Sequence, residues 1–194
     1  ASLAAPADLY LLPARTGALR QLTAVNRDVL DARSTLDATQ FSFAGAGGAT
    51  VSGYVVKPHG YQPGKRYPVA MLIHGGPQSA FGNAWSWRWN PRTFAGAGYA
   101  VVFIDFHGTP GYGQAFTDAV SRDWGGKPLQ DLQLGLAAAL QRFDFLDGER
   151  ACALGASYGG FMINWIAGNW PERFRCLVNH DGIFDTRSMY YSTE

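Results

Sequence analysis

Apolar residues recur along this chain with two periods, and the change of period divides it. Near the start, "DLYLLPARTGALRQLT" predicts two short strands, Asp8 to Leu12 and Ala18 to Leu22, around a glycine-containing turn. A lone hairpin is marginal in water, so this one reads as the end of something larger or as a strap across the main domain. "AVNRDVLDARSTLDA" is polar and weakly patterned and reads as a linker. From Thr39 the pattern becomes that of a layered domain. "TQFSF" and "TVSGYVVKP" are strands separated by the turn "AGAGGA"; "YPVAMLIHGGP" and "YAVVFIDFHG" are buried strands that run into glycines. "RACALGAS" and "FRCLVNHDG" supply a third and a fourth buried strand.

Helical spacing fills the gaps. "NPRTFAGAG" fits a short helix with Pro91 in its first turn and Gly98 past its end. "GYGQAFTDAVSRD" reads as helical, and in "PLQDLQLGLAAALQRF" Leu129, Leu132, Leu136, Ala139 and Leu140 recur on one face. "YGGFMINWIAGNWP" is a helix stopped near Pro171. Apolar strands alternating with helices predict an α/β fold, a largely parallel sheet covered on both faces. Ligands of such sheets bind beyond the carboxyl ends of the strands, which directs attention to "HGGP", "DFHGTPGYG", "GASYGG" and "NHDG".

Composition narrows the classes. The 194 residues are 47% hydrophobic, enough for one sizeable core. Sixteen basic against fifteen acidic residues give a net charge of +1 with no Lys/Arg cluster, which argues against nucleic acid or an anionic membrane as partner. No apolar run reaches the roughly 18 residues of a membrane span, and the opening "ASLAAPADLYLLPARTG" is not an intact signal peptide. The compartment, periplasmic or cytoplasmic in a bacterium, stays unassigned. Cys152 and Cys176 each sit in an apolar, strand-like run and read as buried free thiols, with a disulfide between neighbouring strands as the alternative. Their spacing does not suit a metal.

The candidate chemistry centres on Gly155-Ala156-Ser157-Tyr158-Gly159, a G-x-S-x-G between a strand and a helix. A strand that reverses into a helix within about two residues strains the serine backbone, and side chains at the flanking positions would collide. The strain lifts the Ser157 hydroxyl to the sheet's rim, where the Tyr158 amide and the helix start meet developing negative charge. In "LIHGGPQ", Gly75 and Gly76 let backbone amides face a substrate oxygen. His74 lies upstream of the serine, at a strand end, and reads as a brace for that loop rather than as a base.

Together "HGGP", "GYGQAF", "WGGKPLQDL", "GASYGGFMINWIAG" and "FRCLVNHDGIFD" resemble the prolyl oligopeptidase family of serine peptidases, most closely its acylaminoacyl-peptidase and bacterial dipeptidyl-peptidase branch; the resemblance covers roughly residues 50 to 194. It implies an α/β-hydrolase domain paired with a β-propeller. On that reading residues 1–38 are a last propeller-blade remnant and linker, and residues 39–194 are the N-terminal part of the catalytic domain. The resemblance implies Ser157 as nucleophile, the amides of Gly76 and Tyr158 as oxyanion donors, and release of a dipeptide or an acylated amino acid from a short peptide. It implies no metal or organic cofactor.

A serine hydroxyl needs a base, and the base an orienting acid. After Ser157 the sequence has one histidine, His180, and between them one acid, Glu172, beside a proline. Asp181 could serve as an acid, but adjacent strand residues point to opposite faces, so His180 and Asp181 are not expected to form a relay. "NHDG" is expected to line the pocket or brace the elbow. The resemblance puts the family's acid and histidine beyond residue 194, so the chain alone is expected to be nearly inert and to seek a partner across an exposed sheet edge: the C-terminal segment or another copy. The competing readings are an esterase or lipase of the same fold, and a non-catalytic binding module. The second draws on Trp85, Trp87 and Trp89, which would share one face if "FGNAWSWRWN" were a strand; packing beneath a propeller or walling an active site is the alternative.

Overall fold

The computed structural model describes residues 1–31 and 38–193. It begins with a small antiparallel hairpin, β1 (Tyr10–Leu11) and β2 (Arg20–Gln21), followed by helix α1 (Arg27–Asp31). The remainder of the expected linker, residues 32–37, lies outside the described residues. Then come strands β3 (Ala38–Ala44), β4 (Thr50–Val56) and β5 (Tyr67–Ile73), helix α2 (Pro91–Gly96), strand β6 (Ala100–Asp105), and helices α3 (Gln114–Asp118) and α4 (Lys127–Arg142). Strand β7 (Leu146–Ala156), helix α5 (Tyr158–Asn169), strand β8 (Cys176–His180) and helix α6 (Thr186–Ser192) complete the order.

Six strands form one mixed sheet in the order β3-β4-β6-β5-β7-β8. The β3–β4 and β4–β6 pairings are antiparallel; β6–β5, β5–β7 and β7–β8 are parallel. β5 and β6 occupy the centre, and "YPVAMLI" and "AVVFID" are buried almost throughout, as strands covered on both faces require. Side chains alternate between two cores. Val69, Met71 and Ile73 face Leu132 and Leu136 of α4 and Met162 and Ile166 of α5. Leu72, Val101 and Phe103 face Ala95 of α2 and Leu3 from the N-terminal segment. The fold is thus α/β, with helices on both faces.

Two helices follow the sequence rules closely. α2 is capped by Asn90, whose side chain accepts from the Arg92 amide at 3.0 Å, with Pro91 in its first turn. α4 buries the stripe Leu129, Leu132, Leu136 and Ala139. Helix α3 is shorter than "GYGQAFTDAVSRD" predicts, and Val120 beyond it is still buried.

Three expectations are corrected here. The fourth strand, β8, is not buried: it lies at the sheet edge, with Val178 exposed. Cys152 and Cys176 are not free thiols but a disulfide. They are register partners on parallel neighbours, so both side chains leave the same face, and the edge position leaves Cys152 half-buried and Cys176 exposed. The tryptophan segment is not a strand. Ser86 Oγ accepts from the amides of Arg88 and Trp89 at 3.2 and 3.0 Å, and Asn90 Nδ2 donates to the Ser86 carbonyl at 2.9 Å, folding the segment into a turn. Trp85 and Trp87 therefore meet edge to face, while Trp89 packs instead on His180. Among the described residues no helix is long and apolar enough to cross a membrane.

Candidate active site

The junction of β7 and α5 is a single residue. Ser157 has φ +56° and ψ −118°, a conformation non-glycine residues rarely adopt. Two glycines make the turn possible. A Cβ on Gly155 would run into the carbonyl of Gly159, and a Cβ on Gly159 would run into the carbonyl of Ile73 in β5. Small residues here let helix, strand and neighbouring strand backbones touch. The Ser157 amide donates to the His180 carbonyl at 3.1 Å, which ties the turn to β8. Ser157 occupies the N-cap of α5, yet its hydroxyl bonds no backbone amide of the helix. The side chain is exposed, and among the described residues its Oγ has no hydrogen-bond partner.

The loop after β5 runs alongside. A Cβ on Gly75 would stand 3.3 Å from Ser157 Cβ and 3.9 Å from Ser157 Oγ, so the two backbones are in contact at Ser157. Gly76 has φ +113°, and a Cβ there would meet the amide nitrogens of Gln78 and Ser79. Tyr158 is fully buried. Its hydroxyl donates to the Trp124 carbonyl at 2.7 Å, its ring packs on Phe106 and Trp124, and burial raises its pKa. The side chain thus anchors α5, leaving only its amide at the turn.

His74 is 5% exposed and stacks on Phe106 at 4.1 Å. One ring nitrogen lies 2.7 Å from the Gly75 carbonyl and the other 3.0 Å from Thr109 Oγ1. Burial lowers its pKa to about 4, so the ring is neutral at pH 7. His180 and Asp181 differ from the expectation. Asp181 has φ +50° and lies just past β8, so strand alternation does not govern it, and its Oδ2 is 3.0 Å from His180 Nδ1. Both side chains are exposed, the His180 ring lies edge to face with Trp89, and no hydrogen bond joins it to Ser157 Oγ.

A cleft of about 460 Å³ opens at this point. Its floor is Ile73, Gly75, Ala156 and Ser157; its far wall is the folded loop carrying Phe81, Trp85, Arg88 and Trp89, with Leu3 at one side.

Two buried carboxylates behind the site escaped the sequence reading. Asp131 of α4 accepts from the amides of Ala46 and His107 at 2.7 Å each and contacts His107 Nδ1 at 2.6 Å. Its signal was legible: an acid on the apolar stripe of a helix. Asp105, at the end of β6, accepts from Tyr112 Oη at 2.7 Å; burial raises its pKa, and the Tyr112 hydroxyl holds it back. Nothing in the local pattern distinguishes that aspartate from a strand terminus.

The family model described as the prolyl oligopeptidase family matches residues 85–194. The chain belongs to the prolyl oligopeptidase family. It is 49% identical over 153 residues to dipeptidyl-peptidase 5 of Schizosaccharomyces pombe, covering 78% of this chain and 22% of that protein. With dipeptidyl-peptidase 5 of Porphyromonas gingivalis it shares 35% identity over 189 residues, 97% of this chain and 28% of that one. Among solved structures, an acylaminoacyl peptidase in complex with Z-Gly-Gly-Phe-chloromethyl ketone superposes with a TM-score of 0.89 at 28% identity, covering 98% of this chain and 30% of the other. The chain therefore spans about a quarter of the length of the relatives it matches.

Proposed function

We propose that this member of the prolyl oligopeptidase family carries the nucleophile of a serine peptidase that releases a dipeptide or an acylated amino acid from the N-terminus of a short peptide. The observation that carries this is Ser157: a strained serine heading α5, its hydroxyl uncapped and open to the cleft. Its Oγ attacks the scissile carbonyl carbon and gives its proton to a base. The carbonyl oxygen becomes an oxyanion that accepts from the amides of Gly76 and Tyr158. Collapse expels the new amine, protonated by the same base, and water then hydrolyses the acyl-enzyme.

His74 is an unsuitable base, since both ring nitrogens are engaged and its pKa is near 4. His180 makes no bond to Ser157 Oγ; its carbonyl accepts from the Ser157 amide, so it braces the elbow, and neither it nor Asp181 lines the cleft. The acid and histidine of the triad come from the remainder of the protein, as the family resemblance implies. Residues 1–38 read as a propeller-blade remnant and linker and residues 39–194 as part of an α/β-hydrolase domain; the exposure of Leu9, Leu12 and Leu19 in the hairpin supports the first assignment. The exposed edge at β8 fits the C-terminal part of that domain.

A fluorophosphonate probe with intact mass spectrometry tests this. The full-length protein is expected to label at Ser157, its Ser157→Ala form not at all, and the 194-residue chain more slowly by about 10⁴ or more. His180→Ala in the full-length protein is expected to retain labelling within about tenfold. A full-length protein that does not label overturns the nucleophile assignment; brisk labelling of the 194-residue chain overturns the view that the base lies elsewhere.

A further inference from the structure

Charge in the cleft is one-sided. Its lining contains Arg88 and no aspartate or glutamate. His74, the other ionisable group there, is neutral near pH 7. Asp105 is held by Tyr112, and Asp181 lies against His180, both outside the lining. Some arginines outside the cleft find acids: Arg66 and Arg150 share Asp147, and Arg175 meets Glu149. Arg88 does not. Among the described residues its guanidinium makes no ion pair and no hydrogen bond, although its amide is fixed by Ser86 Oγ. Its position is set by the Ser86 turn and the flanking Trp87 and Trp89, so the backbone that presents it is built rather than loose. Donors predominate in the same wall: Trp85 Nε1–H is buried without a partner among the described residues, and the Arg92 guanidinium lies 5.8 Å over the Trp85 ring.

A cleft of this size with a single unbalanced guanidinium is suited to a small group of opposite charge. Arginine's planar fork matches a carboxylate, with two parallel N–H···O bonds available. The lining offers an ammonium group no carboxylate to pair with. We infer that Arg88 is a specificity-determining residue that selects peptides bearing a carboxylate within reach of Ser157. This deepens the peptidase reading and rests on it for the word substrate. The carboxylate has two sources: an Asp or Glu side chain near the scissile bond, or the free C-terminus of a short peptide.

Two peptide pairs separate the sources. C-terminally amidated peptides with Glu or Gln on either side of the scissile bond test the side chain; neutral peptides ending in a free acid or an amide test the terminus. Turnover by the full-length protein is compared with its Arg88→Ala and Arg88→Lys forms, reading the ratio of kcat/KM within each pair. One ratio is expected to favour the carboxylate by about tenfold or more, to collapse toward unity in Arg88→Ala, and to be intermediate in Arg88→Lys. Ratios near unity in both pairs, or a preference that Arg88→Ala leaves intact, overturn the inference. Calorimetric binding of the same peptides to Ser157→Ala protein, with and without Arg88→Ala, keeps the two readings apart. Arg88-dependent binding without hydrolysis by the unmodified protein would overturn the peptidase and retain the carboxylate site; hydrolysis without Arg88-dependent preference would do the reverse.

Discussion

Ser157 sits at a helix N-cap and caps nothing, which is unusual for a residue type favoured there because its oxygen satisfies a helix amide. The positive φ turns the side chain away from the first turn of α5, and the helix forgoes about 1 kcal/mol of capping. What it gains is a hydroxyl at the cleft, flanked by a backbone that Gly75, Gly155 and Gly159 bring close. His74 makes the opposite use of burial. Its ring titrates near 6.5 when unfolded and near about 4 in the fold. Between those values the unfolded chain binds more protons, so the contribution of a neutral His74 is complete above pH 6.5 and fades as pH falls toward 4. The loss is up to about 3 kcal/mol. Urea midpoints measured from pH 7.5 to 4.5 are expected to fall more steeply for the parent protein than for His74→Gln. Equal slopes would mean that the acid sensitivity originates elsewhere.

Elements are held at the site by ties between non-neighbours in sequence. Asp131 binds α4 to the β3–β4 turn through Ala46 and to the end of β6 through His107. The Cys152–Cys176 disulfide ties the strand that leads into Ser157 to the edge strand, beside their five-residue parallel pairing. Closing a loop between residues 24 apart restricts the unfolded chain and is worth about 3 kcal/mol. The Cys152→Ser/Cys176→Ser double variant is expected to lose stability by about that amount in urea, with amides of β8 exchanging faster than those of β5. A variant as stable as the parent, with β8 unchanged in exchange, would show that strand pairing alone fixes the edge.

The molecule as a whole is asymmetric in what it covers. β5 and β6 are enclosed on both faces, whereas β8 forms an open edge, and Phe184, 86% exposed, Tyr190 and Tyr191 further along the chain are also exposed. An open edge is a template for further pairing, and exposed apolar side chains favour association. The N-terminal segment shows the same imbalance: Leu3 is buried against the α2 face and its amide donates to Asn83 Oδ1, while the leucines of the hairpin stand in solvent. Sedimentation velocity of the 194-residue polypeptide at micromolar concentration is expected to show association, and, on the function proposed above, co-expression with the remainder of that domain is expected to suppress it. A stable, dilute monomer would argue that the exposed edge is tolerated.

Local pattern alone determined the α/β class, the serine at the strand–helix turn and the order of the main-domain elements from β3 to β8; α6, capped by Asp185, was not read from it. Each depends on near neighbours: side-chain period, Pro91 and Gly98 around α2, and glycines where backbones cross. Family membership was legible for a related reason, since several short motifs stand in a fixed order. What joins distant segments was decided by the tertiary structure. "RACALGAS" and "FRCLVNHDG" look alike in composition, yet one becomes an internal strand and the other an edge, and only that placement turns two apparently buried thiols into a bonded, partly exposed pair. The alternation of Trp85, Trp87 and Trp89 suggested a strand face, but Ser86 and Asn90 offered side-chain bonds that fold the backbone instead. His180 and Asp181 meet because the chain has left the strand at Asp181. In each case the deciding contact joins residues whose local pattern does not specify it, so packing at longer range selects the outcome.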